Sequence, residues 1–365
     1  MNKLRTRILV LLVMAVVLIL SACGTPSKES VVKKLSSKWN DTKGYELQAT
    51  MEIKTGTEPR IYDVEVWHTK PEFFRVNVTQ EGSNDSQMII RNETGVFVVA
   101  PSLGKTYKFQ SDWPEKNSQG YLIGSLSEDI QKDENATMTE KDKMYIFQTE
   151  TRNNHKKVLP TQEIYIDKKT LLPKHVSILD ENKEEKIRIT FKKISLGTER
   201  QADDYKEGTV DDDQNANVTP DDKSDDKSDD KSDDGKSEDD EQTNGDEANK
   251  GDKVSLTVHY PTVAWEGVTL VEEEVVRTSE GMRVFMTFGD VKKYTLIQEK
   301  SKPAESTLPV SMEGDPVDLG FTVGALTKQS LRWESGGVSF FLASDSLTSE
   351  EMIEVALSLS PGEMK

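Results

Sequence analysis

Tyr62-Asp63-Val64-Glu65-Val66 and, shortly after it, Phe74-Arg75-Val76-Asn77-Val78-Thr79 decide how this chain folds. Apolar and polar residues alternate with a period of two in both, which puts one face of each segment in a core and the other in water. The same alternation runs outward in both directions. Tyr45, Leu47, Ala49, Met51 and Ile53 share one face of an earlier segment. Further candidate strands run over 87–91, 95–100, 105–110, 143–149, 162–167, 174–179 and 185–193. Turn residues separate most of them, including Gly56, Pro59, Gly104 and the pair Asn153-Asn154. Short spacings of this kind imply hairpins, and about ten antiparallel strands in sequence must curl.

Two helices accompany the strands. Ser27 or Ser30 can cap the first, where Val31, Val32, Leu35 and Trp39 recur at three and four residues before Gly44 ends the segment. The second lies between Asn117 and Lys132 with the stripe Tyr121, Leu122, Ser125, Leu126 and Ile130. Two helices cover only part of a ten-strand face, so the remaining concavity is a candidate pocket for an apolar ligand. Leu47, Met51, Val64, Phe74, Val76, Val98 and Phe147 are the candidate cavity residues.

The order of helix, long meander and inserted helix resembles the half-barrel of the LolA/LolB lipoprotein-carrier superfamily. Several strings are closer still to its YdcC branch of Bacillus sporulation lipoproteins: Val31-Val32-Lys33-Lys34-Leu35, Lys70-Pro71-Glu72-Phe73-Phe74-Arg75-Val76, Phe109-Gln110-Ser111-Asp112-Trp113-Pro114 and Leu159-Pro160-Thr161-Gln162-Glu163-Ile164. The resemblance spans residues 1–200 and implies a curved sheet, lidded by helices, whose concave face holds acyl chains. Family carriers are soluble, whereas this chain carries an anchor signal of its own, so the fold transfers better than the transport role.

That signal is at the start. Lys3, Arg5 and Arg7 precede an apolar run of thirteen residues, Ile8 to Leu20. A membrane-spanning helix needs about twenty, and a basic start with a short apolar core is a secretory signal peptide. The run ends in Leu20-Ser21-Ala22-Cys23-Gly24, which resembles the lipobox of bacterial lipoproteins. Cys23 is the only cysteine in the chain, so no internal disulfide framework exists. The expectation is a signal peptide over 1–22, cleavage before Cys23, and acyl groups on Cys23 holding the protein at the outer face of the cytoplasmic membrane. Two acyl chains suffice for stable anchoring.

The formal charge of −18 is concentrated in one segment. Residues 202–252 hold 21 acidic and 6 basic residues, with Asp-Asp-Lys-Ser repeated three times from Asp221 to Ser232. Apart from Tyr205, Val210 and Val218 there is almost nothing apolar to bury, so an extended, disordered tether is expected, from which a second domain reaches outward. The Asp pairs lack the glycine turn and closing Glu of a calcium loop. The domain reading is therefore a half-barrel over 23–201, the tether, and a small α+β domain over 253–365. That last domain carries strand patterns from Val254 onward, a Pro- and Ser-containing loop over 300–315, a strand over 317–323, and a closing helix headed by Ser346-Leu347-Thr348-Ser349-Glu350-Glu351. Its ending, from Arg332-Trp333-Glu334 to Ala356-Leu357-Ser358-Leu359, resembles the DUF4367 module, to which no activity is attached.

Catalytic patterns are missing from the sequence. His68, His155, His175 and His259 make no metal-ligand spacing, and no nucleophile elbow, phosphate loop or dinucleotide fingerprint occurs. His68 and His175 read as ordinary strand residues, and Trp113 as a packing anchor. No cofactor, no metal and no nucleic-acid partner is expected. The functional expectation is a non-enzymatic α+β lipoprotein that binds lipid, a lipoprotein or a hydrophobic envelope partner. The alternative is a protein-interaction scaffold or sensor in sporulation, germination or envelope regulation.

Overall fold

The computed structural model describes residues 26–207 and 256–362, apart from 56–57, 84–85, 111–112, 114–118, 153–155, 280 and 305–307. Cys23, the expected signal peptide over 1–22, the acidic repeats and His155 lie outside the described residues.

Helix α1 covers Lys28–Asn40, and Ser27 Oγ caps it by accepting from Ser30 N. Val31, Leu35 and Trp39 form its buried stripe. Eleven strands of the first domain follow: β1 (Gly44–Ile53), β2 (Arg60–Thr69), β3 (Phe73–Gln80), β4 (Ser86–Asn92), β5 (Gly95–Ala100), β6 (Lys105–Phe109), β7 (Thr137–Lys141), β8 (Met144–Glu150), β9 (Thr161–Asp167), β10 (Pro173–Leu179) and β11 (Glu185–Leu196). Helix α2 (Ile123–Lys132) interrupts them after β6. Their order in the sheet is β6-β5-β4-β3-β2-β1-β11-β10-β9-β8-β7. The sheet is thus a meander closed through the β1–β11 pair, which brings the two ends of the domain together at its centre.

Register explains why the alternation reads so cleanly. Leu47 lies opposite Val66, Val66 opposite Val76, Val76 opposite Ile89, and Ile89 opposite Val98. A second row runs Met51–Ile189–Val176–Ile164–Phe147 through the other half of the sheet. Both rows join one continuous core with the buried faces of α1 and α2. The opposite face carries a smaller cluster of Met88, Ile90, Phe97 and Val99 under Tyr205.

The second domain comprises β12 (His259–Pro261), β13 (Val268–Thr278), β14 (Gly281–Asp290), β15 (Tyr294–Lys300), β16 (Val310–Ser311), β17 (Asp315–Asp318), β18 (Val323–Leu326), β19 (Ser330–Ser335), β20 (Val338–Ala343), α3 (Ser349–Leu357) and β21 (Leu359–Pro361). Seven of these strands form an antiparallel sheet in the order β13-β14-β15-β20-β19-β18-β17. Thr348 and Glu351 make a reciprocal capping box at the start of α3. The fold class is α+β throughout.

Four expectations change. Thr137–Lys141 is an eleventh strand; its alternation contains only Met138 as an apolar residue, because it is the sheet edge. Residues 202–205 are not part of an unstructured tether: they form a 3₁₀ turn, and Tyr205 is fully buried, with its hydroxyl at 2.8 Å from Thr69 Oγ1. The stretch 317–323 is not one strand. It breaks after Asp318, and Gly320 adopts φ +82° so that Leu319 N can donate to Thr322 O across a tight turn. Finally, the second domain is not held apart from the half-barrel by the tether but packs on it. Strand β16, inside the expected loop, pairs in parallel with β6 and becomes the twelfth strand of the first sheet. It thereby covers the open backbone groups of an edge strand.

The seam between the domains as a candidate functional site

The candidate cavity residues come together on one face, the face that α1 and α2 cover. Leu47, Met51, Val64, Val76, Val98 and Phe147 are each no more than 2 % exposed. Phe74 is half-buried, stacked on His68 with ring centroids 4.1 Å apart and edge-on to Trp113 at 5.8 Å. Trp113 is itself buried. Burial holds the His68 imidazole near a pKa of about 4, and its Nδ1 lies 2.9 Å from Phe73 O. His175 is a strand residue, stacked on Tyr165 at 3.8 Å.

What fills the open end of this face comes from the second domain. The Asp318–Thr322 turn enters at the end of β1 and the start of β11. An added Cβ on Gly320 would stand 3.4 Å from Ile53 Cδ1 and 3.8 Å from Ile187 Cδ1. Leu319 is fully buried and Phe321 nearly so. Phe321 stacks on Tyr62 at 6.5 Å, and the Arg60 guanidinium lies 4.5 Å from the Phe321 ring centre on its face.

The residues beside this apolar plug are polar. Asp318 is partly buried with its carboxylate among three donors. Gly320 N donates to Oδ1 at 2.6 Å, Tyr121 Oη donates to Oδ2 at 3.2 Å, and the Gln119 side chain also supports it. Burial outweighs these bonds and pushes the Asp318 pKa up to about 6. Burial and the neighbouring Asp318 push the Tyr121 phenol well above its ordinary range. Further along, Thr322 Oγ1 donates to Gln87 Oε1 at 2.6 Å, Gln87 Nε2 donates to Glu334 O at 3.2 Å, and Lys105 Nζ pairs with Glu334 Oε1 at 2.5 Å. Thr55 Oγ1 donates to Leu357 O, the last residue of α3, at 2.8 Å.

Two spaces interrupt the seam. A void of about 40 Å³ lies among Tyr62, Gln87, Leu103, Phe321 and Glu334. A cleft of about 800 Å³ opens between the domains, with Arg60, Tyr62, His259, Phe321, Trp333 and Phe340 in its walls. His259 stands edge-on to Phe340 at 5.4 Å. Burial, assisted by the Arg60 charge, lowers its pKa and favours the neutral ring. The cleft therefore offers aromatic faces, a neutral imidazole, the Arg60 guanidinium and the Glu58 and Glu81 carboxylates, which is binding chemistry. Among the described residues no group of three or more His, Cys, Asp or Glu could hold a metal ion.

Of the seam residues, Ile53, Tyr62 and Tyr121 read from the sequence only as members of apolar faces and His259 only as a histidine without metal-ligand spacing, none of them as part of a site. The one legible signal was an acid and a glycine, Asp318 and Gly320, interrupting the largely apolar run Val317 to Val323.

Comparison with known proteins places this architecture. The family model described as sporulation protein YdcC-like matches residues 3–203. The sporulation protein YdcC of Bacillus subtilis is 37 % identical over 360 residues, covering 98 % of each chain. The similarity therefore includes the second domain as well as the half-barrel. Among solved structures, MucB aligns over 93 % of this chain and 99 % of its own, at 13 % identity and a TM-score of 0.35. A lipoprotein-sorting protein domain from Vibrio parahaemolyticus aligns over 49 % of this chain and 96 % of its own, at 10 % identity and a TM-score of 0.31. By the family match and the full-length relative together, this chain belongs to the YdcC-like sporulation proteins.

Proposed function

We propose that the protein is an exported lipoprotein, cut before Cys23 and held by acyl groups on that cysteine at the outer face of the cytoplasmic membrane, where it serves sporulation as a non-enzymatic binding scaffold. The leader with Lys3, Arg5 and Arg7, the apolar run and the lone Cys23 support the anchor. No helix among the described residues is long and apolar enough to cross a membrane. The scaffold reading rests on one observation: the Asp318–Thr322 turn occupies the open end of the half-barrel. An acyl chain approaching Leu47, Met51 or Val64 through that end would have to displace Leu319 and Phe321. The interdomain cleft of about 800 Å³ is an accessible binding space beside that plug. An amphipathic segment of an envelope protein suits its mixture of aromatic walls, the Arg60 guanidinium and the Glu58 and Glu81 carboxylates.

A second reading keeps the half-barrel as a lipid site that opens when the domains part, and the polar lining of the seam favours it. Native mass spectrometry separates the two. Under the scaffold reading neither the wild-type chain nor Phe321→Asp, which breaks the plug, carries acyl lipid. Lipid on Phe321→Asp alone would establish the second reading, and lipid on the wild type would refute the closed half-barrel. Radiolabelled palmitate incorporated into the wild type but not into Cys23→Ser checks the anchor separately.

A further inference from the structure

The first domain carries a lysine face. Helix α1 and the β9–β10 turn meet where Lys38 Nζ donates to Thr170 O at 2.6 Å and Trp39 Nε1 donates to Leu171 O at 2.8 Å. The same turn meets the β7–β8 hairpin, where Lys168 N donates to Lys143 O at 2.9 Å. Residues 28–41, 140–143 and 167–174 hold nine lysines against five carboxylates, in a chain whose formal charge is −18. Three of those carboxylates are already engaged. Glu140 pairs with Lys168 at 2.7 Å, Asp41 accepts from Ser37 Oγ, and Asp167 accepts from Lys169 N and Thr170. Lys33, Lys34, Lys141, Lys143 and Lys169 are exposed and form no ion pair among the described residues.

The position of this face is informative. Helix α1 starts five residues after Cys23, and five residues of extended chain reach at most about 18 Å. The second domain docks at the opposite end of the strands, against Ile53, Arg60 and Gln87.

We infer that the lysine face is a docking surface for the anionic phospholipid headgroups of the membrane to which the chain is tethered. It would orient the half-barrel with α1 and the two hairpin ends against the bilayer and the second domain outward. This rests on the proposed anchor for its geometry, but the electrostatic contact needs no lipid on the protein. Each lysine held near an anionic surface adds several-fold to the partition coefficient, and salt weakens the effect.

The test uses the chain lacking its first 23 residues, which retains every described residue and has no acylation site. Sedimentation is measured with vesicles of pure phosphatidylcholine and with vesicles containing one-third phosphatidylglycerol. The expected result is binding at least about tenfold stronger to the anionic vesicles, abolished in high salt. It should be lost in Lys34→Glu/Lys141→Glu/Lys169→Glu and retained in the matching Lys→Arg triple variant. Equal binding to both vesicles overturns the inference, and so does an unaffected Glu triple variant. Loss in both triple variants also overturns it, because charge would then not be the cause. A further arm deletes residues 208–252. Anionic-vesicle binding that appears only after this deletion would assign the lysines to the chain's own acidic segment. Failure of palmitate labelling with normal vesicle binding would remove the anchor and leave the surface intact.

Discussion

The half-barrel is closed at two places by different chemistry, and the contrast separates what holds it together from what can change. Under α1 and α2 the contact is mainly apolar: Val31, Leu35, Trp39, Leu126 and Ile130 meet the sheet with at most 4 % exposure, and the buried Asp129 carboxylate among them is fully engaged by Arg152 and Gln162. At the seam with the second domain, an equally buried apolar plug of Leu319 and Phe321 is bordered by Asp318, Tyr121, Gln87, Lys105 and Glu334. Dry apolar packing stabilises in proportion to area and tolerates no partial opening without loss. Buried polar groups gain little over their hydrated state, so separating them costs less than their number suggests. The helix side is thus built for permanence, and the seam for specific, weaker closure.

The largest effect should come from breaking the helix side. Leu126→Ala, at a fully buried position, should cost about 2–5 kcal/mol, and urea denaturation should show the whole half-barrel losing that amount. A loss confined to the second domain would contradict the distinction.

The next test is at Asp318. Its carboxyl is raised from 3.8 to about 6 in the folded state, so the folded protein holds the proton more tightly than the unfolded chain. Stability therefore falls as pH rises from about 4 to about 6, and the full cost, at most about 3 kcal/mol, is present above that range. Asp318→Asn should raise the melting temperature at pH 7 and remove the slope between pH 4 and 6. His68 acts in the opposite sense. Its lowered pKa removes stability as pH falls from about 6.5 toward 4, so the Asp318 contribution must be read as the difference between wild type and variant. A parallel slope in Asp318→Asn would remove Asp318 from the account.

A smaller effect is expected at Lys105, whose side chain and that of Glu334 are largely buried. Lys105→Met removes the ion-pair partner of Glu334, leaving the Ser339 Oγ hydrogen bond, and should cost roughly 1–3 kcal/mol of domain docking. Limited proteolysis of the seam should accelerate while α1 stays protected. The smallest change concerns Arg60. Replacing it with Met removes its contact with the Phe321 face, worth about 0.5–1 kcal/mol, and should shift the unfolding midpoint only slightly.

Much of the half-barrel was legible because each strand carries its own period-two record, and in β2 the buried Tyr62, Val64 and Val66 alternate with Asp63 and Glu65. Which face lies under the helices did not follow from alternation, because either face of a curved sheet can be the concave one. Leu47, Val64 and Phe147 could be grouped from sequence, although alternation alone gives no hint of whether a grouped face is hollow or packed. Strand β7 escaped because an edge strand with Thr, Glu and Lys has little apolar content to alternate. Strand β16 escaped for a different reason: two residues pairing across some two hundred positions leave no local pattern. The seam was hidden likewise, since Tyr62, Gln87 and Asp318 meet only once both domains have folded. Tyr205, the lone aromatic at the head of an acidic run, was the clue that the ordered chain continues past Gln201.

Hydrogen–deuterium exchange of the wild-type chain against Phe321→Asp tests the central claim most directly. If the second domain closes the half-barrel, amides around Ile53 and Ile187 lose protection in the variant while those around Leu35 and Leu126 keep theirs. Unchanged protection at Ile53 and Ile187 would mean that the Asp318–Thr322 turn does not close the half-barrel in solution.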